Sequence, residues 1–178
     1  ETTSRNPTRL PTVGSGHGVP MDTSTATYVT NLKTASPAVK DCWKVTHADD
    51  STSQVPALTK SWNSEEVFGS MSVSSIDEGT AYITAGGSAI PSTYRRTYTE
   101  KITFATDTRV RLPASNYPNN SIYGCSVGGP SAGYFANGYS PSLSPSYSTV
   151  MYKFSWATET FASAGTMTGI DSSNGRFV

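Results

Sequence analysis

Apolar and polar positions alternate along three short stretches of the chain that are near-copies of one another. In "WKVTHADDS" (43–51), "EKITFATDT" (100–108) and "YKFSWATET" (152–160), Val45 and His47, Ile102 and Phe104, and Phe154 and Trp156 alternate with Lys, Thr and Ser. A period of two marks a strand with two unlike faces. Each stretch ends in an acid, Asp50, Asp107 or Glu159, where the chain has to reverse. An acid there can bond the amides of its own turn, so these three are read as structural turn residues. On the same register His47 takes the place of Phe104 and Trp156 and is expected to be a core or half-buried ring.

Two further landmarks recur in the same order. One is an aromatic-led strand: "TATYVTNL" (25–32), "GTAYITAGG" (79–87) and "SAGYFANGY" (131–139). The other is centred on glycine: "GHGV" (16–19), "VFGSMSV" (67–73), "IYGCSV" (122–127) and, at the end, "GRFV" (175–178). A short strand after the acidic turn, "SQVPAL" (53–58) or "RVRLP" (109–113), makes four strands per unit. A spacing of about fifty residues with four strands in each unit is that of a propeller blade, and a solenoid coil would be shorter.

The predicted fold is therefore all-β: propeller-type repeats of four-stranded antiparallel blades over residues 13–60, 65–113 and 121–166. Residues 1–11 align as an orphan fourth strand and 174–178 as an orphan first strand, so both ends cut across a blade. Three blades are fewer than the four to eight that usually close a ring. The expectation is a segment of a longer array, or several copies sharing one structure.

Composition narrows the function classes. Thirteen basic and thirteen acidic residues cancel, and no Lys or Arg cluster supplies the footprint of a nucleic-acid or anionic-membrane partner. No apolar run is long enough to cross a bilayer, and the N-terminus shows neither an initiator Met nor a signal-peptide pattern. Cys42 and Cys125 are too few for a disulfide framework or a metal site. They read as buried thiols whose pairing stays open.

Candidate chemistry is sparse. His17, in "GSGHG", precedes Pro20 and no helix, which argues against a phosphate-cradling loop. "SIDEGTAY" (75–82) comes near an Asp-box hairpin turn, with Ala81 where Thr belongs. A glycosidase needs two carboxylates across a sugar site, and Glu65, Glu66, Asp77 and Glu78 are loop acids without assignable partners. No catalytic residue, metal or cofactor is expected. Asn119 heads a formal glycosylation sequon, relevant only to a chain that a eukaryote secretes.

"YRRTYTEK" (94–101) is the single basic and aromatic cluster, able to stack on a sugar or bond a phosphate. Loop tyrosines (Tyr94, Tyr117, Tyr139, Tyr147) in Ser-, Asn- and Gly-rich surroundings suit an adaptable contact surface. Loops 33–41, 88–98 and 138–148, equivalent in the three units, form the predicted contact face. Its binding candidates are Tyr94, Arg95, Arg96, Tyr139 and Tyr147.

With "GYFANGY" (133–139), "STVMYKFSWATET" (148–160) and "EKITFATDTRVRLP" (100–113) in view, the chain resembles the kelch-like propeller repeats of tail-fibre-like virion structural proteins of tailed bacteriophages. The phage-type glycine doublet survives as Gly86-Gly87, and Arg109 stands where a standard kelch blade carries Trp. The resemblance implies a non-enzymatic structural and adhesion protein of a virion, tail or fibre associated. Its implied partners are other virion or filament subunits, itself included, and a host-surface glycan or protein; its implied location is the virion or an extracellular surface. The alternatives are a carbohydrate- or protein-binding propeller module of a cell-surface filament and a degenerate sialidase-like hydrolase.

Overall fold

The computed structural model describes residues 19–30, 42–55, 67–68, 70–75, 77–84, 87–88, 97–119, 124–136, 138 and 148–167. Among them there are strands and turns but no helix, hence none long and apolar enough to cross a membrane. Val, Ile, Thr, Tyr and Phe fill the strand positions, in keeping with a pleated, half-buried surface.

Three antiparallel sheets of four strands follow one another. The first runs β1 (Val19–Asp22), β2 (Ala26–Thr30), β3 (Cys42–Thr46), β4 (Thr52–Gln54) in that order. The middle sheet is made of β6 (Met71–Ser75), β7 (Thr80–Thr84), β9 (Tyr98–Thr103) and β10 (Thr108–Asn116), again neighbour to neighbour. The third contains β11 (Cys125–Gly128), β12 (Ala132–Ala136), β13 (Val150–Ser155) and β14 (Thr160–Thr166). A small two-stranded sheet, β5 (Val67–Phe68) with β8 (Gly87–Ser88), sits outside this scheme.

The three last hairpins share one turn. Asp50, Asp107 and Glu159 all have positive φ, at 54°, 48° and 52°, the left-handed conformation that acids with short local bonds tolerate better than most side chains. Threonine hydroxyls flank two of the turns in the same way: Thr106 pairs with Thr108 at 2.9 Å and Thr158 with Thr160 at 2.8 Å. In the first sheet the bond from acid to turn amide comes from Asp49, whose Oδ1 accepts from Ser51 N at 3.0 Å. That bond holds the Asp49 carboxyl below its ordinary pKa.

Stacking of the sheets builds two cores. Met21, Tyr28, Cys42 and Val55 of the first sheet meet Ala81, Ile83 and Ile102 of the middle one. Val73, Tyr82 and Met71 of the middle sheet meet Phe135, Phe154 and Trp156 of the third. At each of these two boundaries the forward face of one sheet is covered by the backward face of the next. Gly133 permits a close approach, since a Cβ there would stand 2.6 Å from Val73 Cγ2 and 2.7 Å from Trp156 Cη2.

Several expectations change. The first strands of the sheets, Val19–Asp22, Met71–Ser75 and Cys125–Gly128, start within the glycine-centred stretches and run past them, with Met21 and Val73 packed in the cores. Phe104 and Trp156 lie in the turns rather than in the strands, yet both reach back to the preceding sheet. His47 lies in the equivalent turn and is exposed, not a core ring: no preceding sheet lies over it among the described residues. Tyr117, expected as a loop contact residue, is 1% exposed in the second core. The fourth strand of the middle sheet runs on past 113 to Asn116, with a register shift after Leu112. The orphan strands at 1–11 and 174–178 lie outside the described residues.

Candidate functional site

The predicted binding residues Tyr94, Arg95, Arg96, Tyr139 and Tyr147 lie outside the described residues, as do His17, Glu65 and Glu66. Asp77 and Glu78 are exposed in the turn between β6 and β7. That turn is closed by Gly79 at φ 62°, whose carbonyl accepts from Phe104 N at 3.0 Å. His47 Nε2 pairs with Thr27 Oγ1 at 3.0 Å. Among the described residues no three His, Cys, Asp or Glu side chains gather to hold a metal. The amide of Asn119 is engaged at both ends, donating to Ser148 Oγ at 2.8 Å and accepting from the Tyr152 hydroxyl at 3.2 Å, which opposes its use as a glycan acceptor.

Neither Cys42 nor Cys125 is in a disulfide. Cys42 is fully buried. Cys125 donates to the Ala136 carbonyl at 3.2 Å, and burial pushes its pKa up to about 11. A thiol so held stays protonated at neutral pH and is a poor nucleophile.

What the fold does bring together is a tyrosine, a lysine and a turn acid. Strand pairing sets Tyr28 opposite Lys44, Tyr82 opposite Lys101 and Tyr134 opposite Lys153. In the first two sheets the ammonium lies over the ring, at 5.6 and 5.7 Å from its centre, a favourable placement for a cation on a π face. At the boundary between the middle and third sheets the acid completes the group. Glu159 Oε1 accepts from Lys101 Nζ at 2.6 Å and from the Tyr82 hydroxyl at 3.1 Å, while Ser115 Oγ donates to the Glu159 carbonyl.

The bond to Glu159 raises the Lys101 pKa, and burial is the main cause of the raised Tyr82 pKa. A ring from the next sheet's turn then covers the tyrosine. Trp156 stacks on Tyr82 with ring centres 5.2 Å apart and planes 11° from parallel, and Phe104 lies against Tyr28 at 4.6 Å.

The equivalent acid at the first boundary is Asp107, one methylene shorter. Its Oδ1 is buried with no hydrogen-bond partner among the described residues. A different charge pair sits on the backward face of the middle sheet: Arg109 Nη2 and Glu100 Oε2 are 2.6 Å apart, with side chains 5% and 3% exposed.

Two hollows remain. Strands β1, β6 and β11 run side by side, joined by bonds from Ser72 Oγ to Pro20 O (2.7 Å), Asp22 N to Ser74 Oγ (3.0 Å) and Ser126 Oγ to Ser72 O (2.5 Å). They floor a groove of about 560 Å³ lined by four serines and Asp22 together with Met71, Val73, Cys125 and Val127. The second hollow, about 370 Å³, lies on the forward face of the third sheet among Val127, Tyr134, Ala136, Met151 and Met167. Sequence reasoning missed this face. The order Tyr, then Lys, then acid in every unit was the signal that pointed to it.

No family model and no curated protein matches this chain. Its fold is similar to that of a solved protein, described as "Structure of YjhT", with a TM-score of 0.67 at 12% sequence identity. The likeness covers 89% of this chain and 54% of that one. At such identity it concerns the fold alone, and this chain spans about half the length of the protein it matches.

Proposed function

We propose that the chain is a set of three kelch-like propeller blades that works by assembly and surface contact, as a structural and adhesion element of a virion or extracellular filament. The observation that carries this reading is the repeated Tyr–Lys pair, set at the same register in three consecutive sheets and tied at one boundary to the next sheet's acid. Its chemistry is spent on holding blade to blade. The resemblance of the repeat phrases to phage tail-fibre-like proteins favours the virion, with loops 33–41, 88–98 and 138–148 as the host-facing side. Fractionation of native particles, with the chain traced by a specific antibody, tests the assignment. Recovery in assembled particles supports it; recovery only as a free enzyme that hydrolyses sialosides overturns it.

The serine-lined groove favours one second reading, a carbohydrate-binding module. Serine hydroxyls beside the apolar side chains of Met71, Val73 and Val127 suit the mixed polar and apolar faces of a neutral sugar, and a single acid, Asp22, borders the groove. A glycan array separates the two: retention that is lost in Ser72→Ala and Ser126→Ala supports the groove, and retention unchanged in both removes it.

A further inference from the structure

Two boundaries between sheets are occupied in this molecule, and a third is half-built. At the first two, a forward-face apolar residue of the sheet's first strand is sealed by the following sheet: Met21 is 1% exposed and Val73 3%. Val127 holds the same register position, opposite Tyr134 as Met21 is opposite Tyr28 and Val73 opposite Tyr82. It is 63% exposed. Around it Tyr134, Met151 and Met167 line the apolar hollow, and Lys153 stands exposed beside Tyr134. A forward face of this kind is a place for a backward face.

Among the described residues there is also a backward face that no sheet covers. Val29, Trp43 and Val45 of the first sheet occupy the positions that Ile83, Glu100 and Ile102 fill in the middle sheet and Phe135, Tyr152 and Phe154 in the third. The deepest of those are sealed, with Ile83 at 2% and Ile102, Phe135 and Phe154 at 0%, whereas Val29, Trp43 and Val45 are only half-buried. The turn above them offers His47 where Phe104 and Trp156 lie over a tyrosine, and Asp50 where Glu159 meets Lys101 and Tyr82. Both His47 and Asp50 are exposed.

We propose that the first sheet of a second copy of this chain docks on the third sheet of the first copy, head to tail, continuing the boundary already made twice within one chain. This rests on reading the sheets as equivalent stacked units. In the docked pair Val29, Trp43 and Val45 cover Val127, Met151 and Met167, His47 lies over Tyr134, and Asp50 faces Lys153. The apolar surface supplies the affinity, and the opposite charges set the register. Because the two surfaces differ, the contact is heterologous, and its repetition gives a closed ring or a filament according to the rotation per copy. The likeness covers 54% of the solved protein of similar fold, so the rest of that protein is somewhat shorter than the part matched here.

Sedimentation velocity of the 178-residue chain over a concentration series tests the proposal. The expected result is a concentration-dependent dimer or larger species. Val127→Asp and Lys153→Glu, both at exposed positions that leave the melting temperature unchanged, block one surface; Asp50→Lys blocks the other. Each variant alone is expected to sediment as a monomer, while Val127→Asp mixed with Asp50→Lys forms a one-to-one dimer through the two intact surfaces. Asp50→Glu, with the reach of Glu159, is expected to tighten association about tenfold. A wild-type chain that stays monomeric at its highest soluble concentration overturns the proposal, as does a mixture that does not pair. Recovery of the chain in native particles together with a strictly monomeric chain in solution overturns this contact and leaves the structural role standing.

Discussion

Lys101 of the middle sheet reaches across to Glu159 of the third, Nζ 2.6 Å from Oε1, so one hairpin's turn acid is the fastening of its neighbour. The two side chains are 28% and 31% exposed, and a partly screened pair with a second bond from Tyr82 is expected to contribute about 1 kcal/mol. Glu159→Gln should lower stability by that order in urea melts.

The same group gives an alkaline pH dependence. Lys101 and Tyr82 both have raised pKa values in the folded chain, so both favour the fold while protonated. Their contribution is complete below the unfolded values, near 10.5 and 10.0, and is lost as pH rises through the folded ones. Stability should fall above about pH 10 in thermal melts. In Glu159→Gln the lysine part of that fall should shrink and the tyrosine part persist, since burial is the main cause of the latter. An unchanged slope in the variant would remove Glu159 from the account.

Gly133 lies where the middle and third sheets approach closely. Alanine there sets a Cβ against Val73 and the Trp156 ring, an overpacking expected to cost about 1–3 kcal/mol. Val73→Ala removes the nearer obstacle. The double variant should therefore be more stable than the sum of the single effects, and strict additivity in chemical denaturation would contradict the contact.

The pair of Glu100 and Arg109 is buried on the backward face of the middle sheet. Removing one partner strands the other charge: Glu100→Leu alone is expected to cost about 3–5 kcal/mol. Replacing both, with Glu100→Leu and Arg109→Met, should recover most of that loss. A double variant as unstable as the single one would show that the pair itself, and not the stranded charge, carries the stability.

At Asp107 the left-handed backbone and a buried carboxylate oxygen without a hydrogen bond act together. Asp107→Gly and Asp107→Asn are expected to be neutral or slightly stabilising, because both residues adopt positive φ readily. Asp107→Val should cost about 1–3 kcal/mol through strain in the same turn. Equal melting temperatures for Gly and Val would refute the conformational argument.

Much of this was legible in the chain itself. The alternation in "EKITFATDT" and its copies is a local property, and so is the reversal at each acid, because both depend on residues within one hairpin. Aligning the copies put Tyr28, Tyr82 and Tyr134 in one class and Lys44, Lys101 and Lys153 in another, and these are the residues that face each other across β2–β3, β7–β9 and β12–β13. The candidate site was legible only as a list of exposed loop residues. His47 shows why: its register with Phe104 and Trp156 was readable, but its environment depends on whether another sheet lies over it.

Sequence alone, then, determined the strand periodicity, the three equivalent units and the acid at each reversal, since these follow from steric and hydrogen-bonding preferences over a few residues. Tertiary structure decided which of two equal faces is covered. Val73 and Val127 are the same residue at the same place in the repeat, and one is sealed at 3% while the other stands 63% open. The difference is the presence of a next sheet, a contact made across more than fifty residues of chain and invisible to any local pattern.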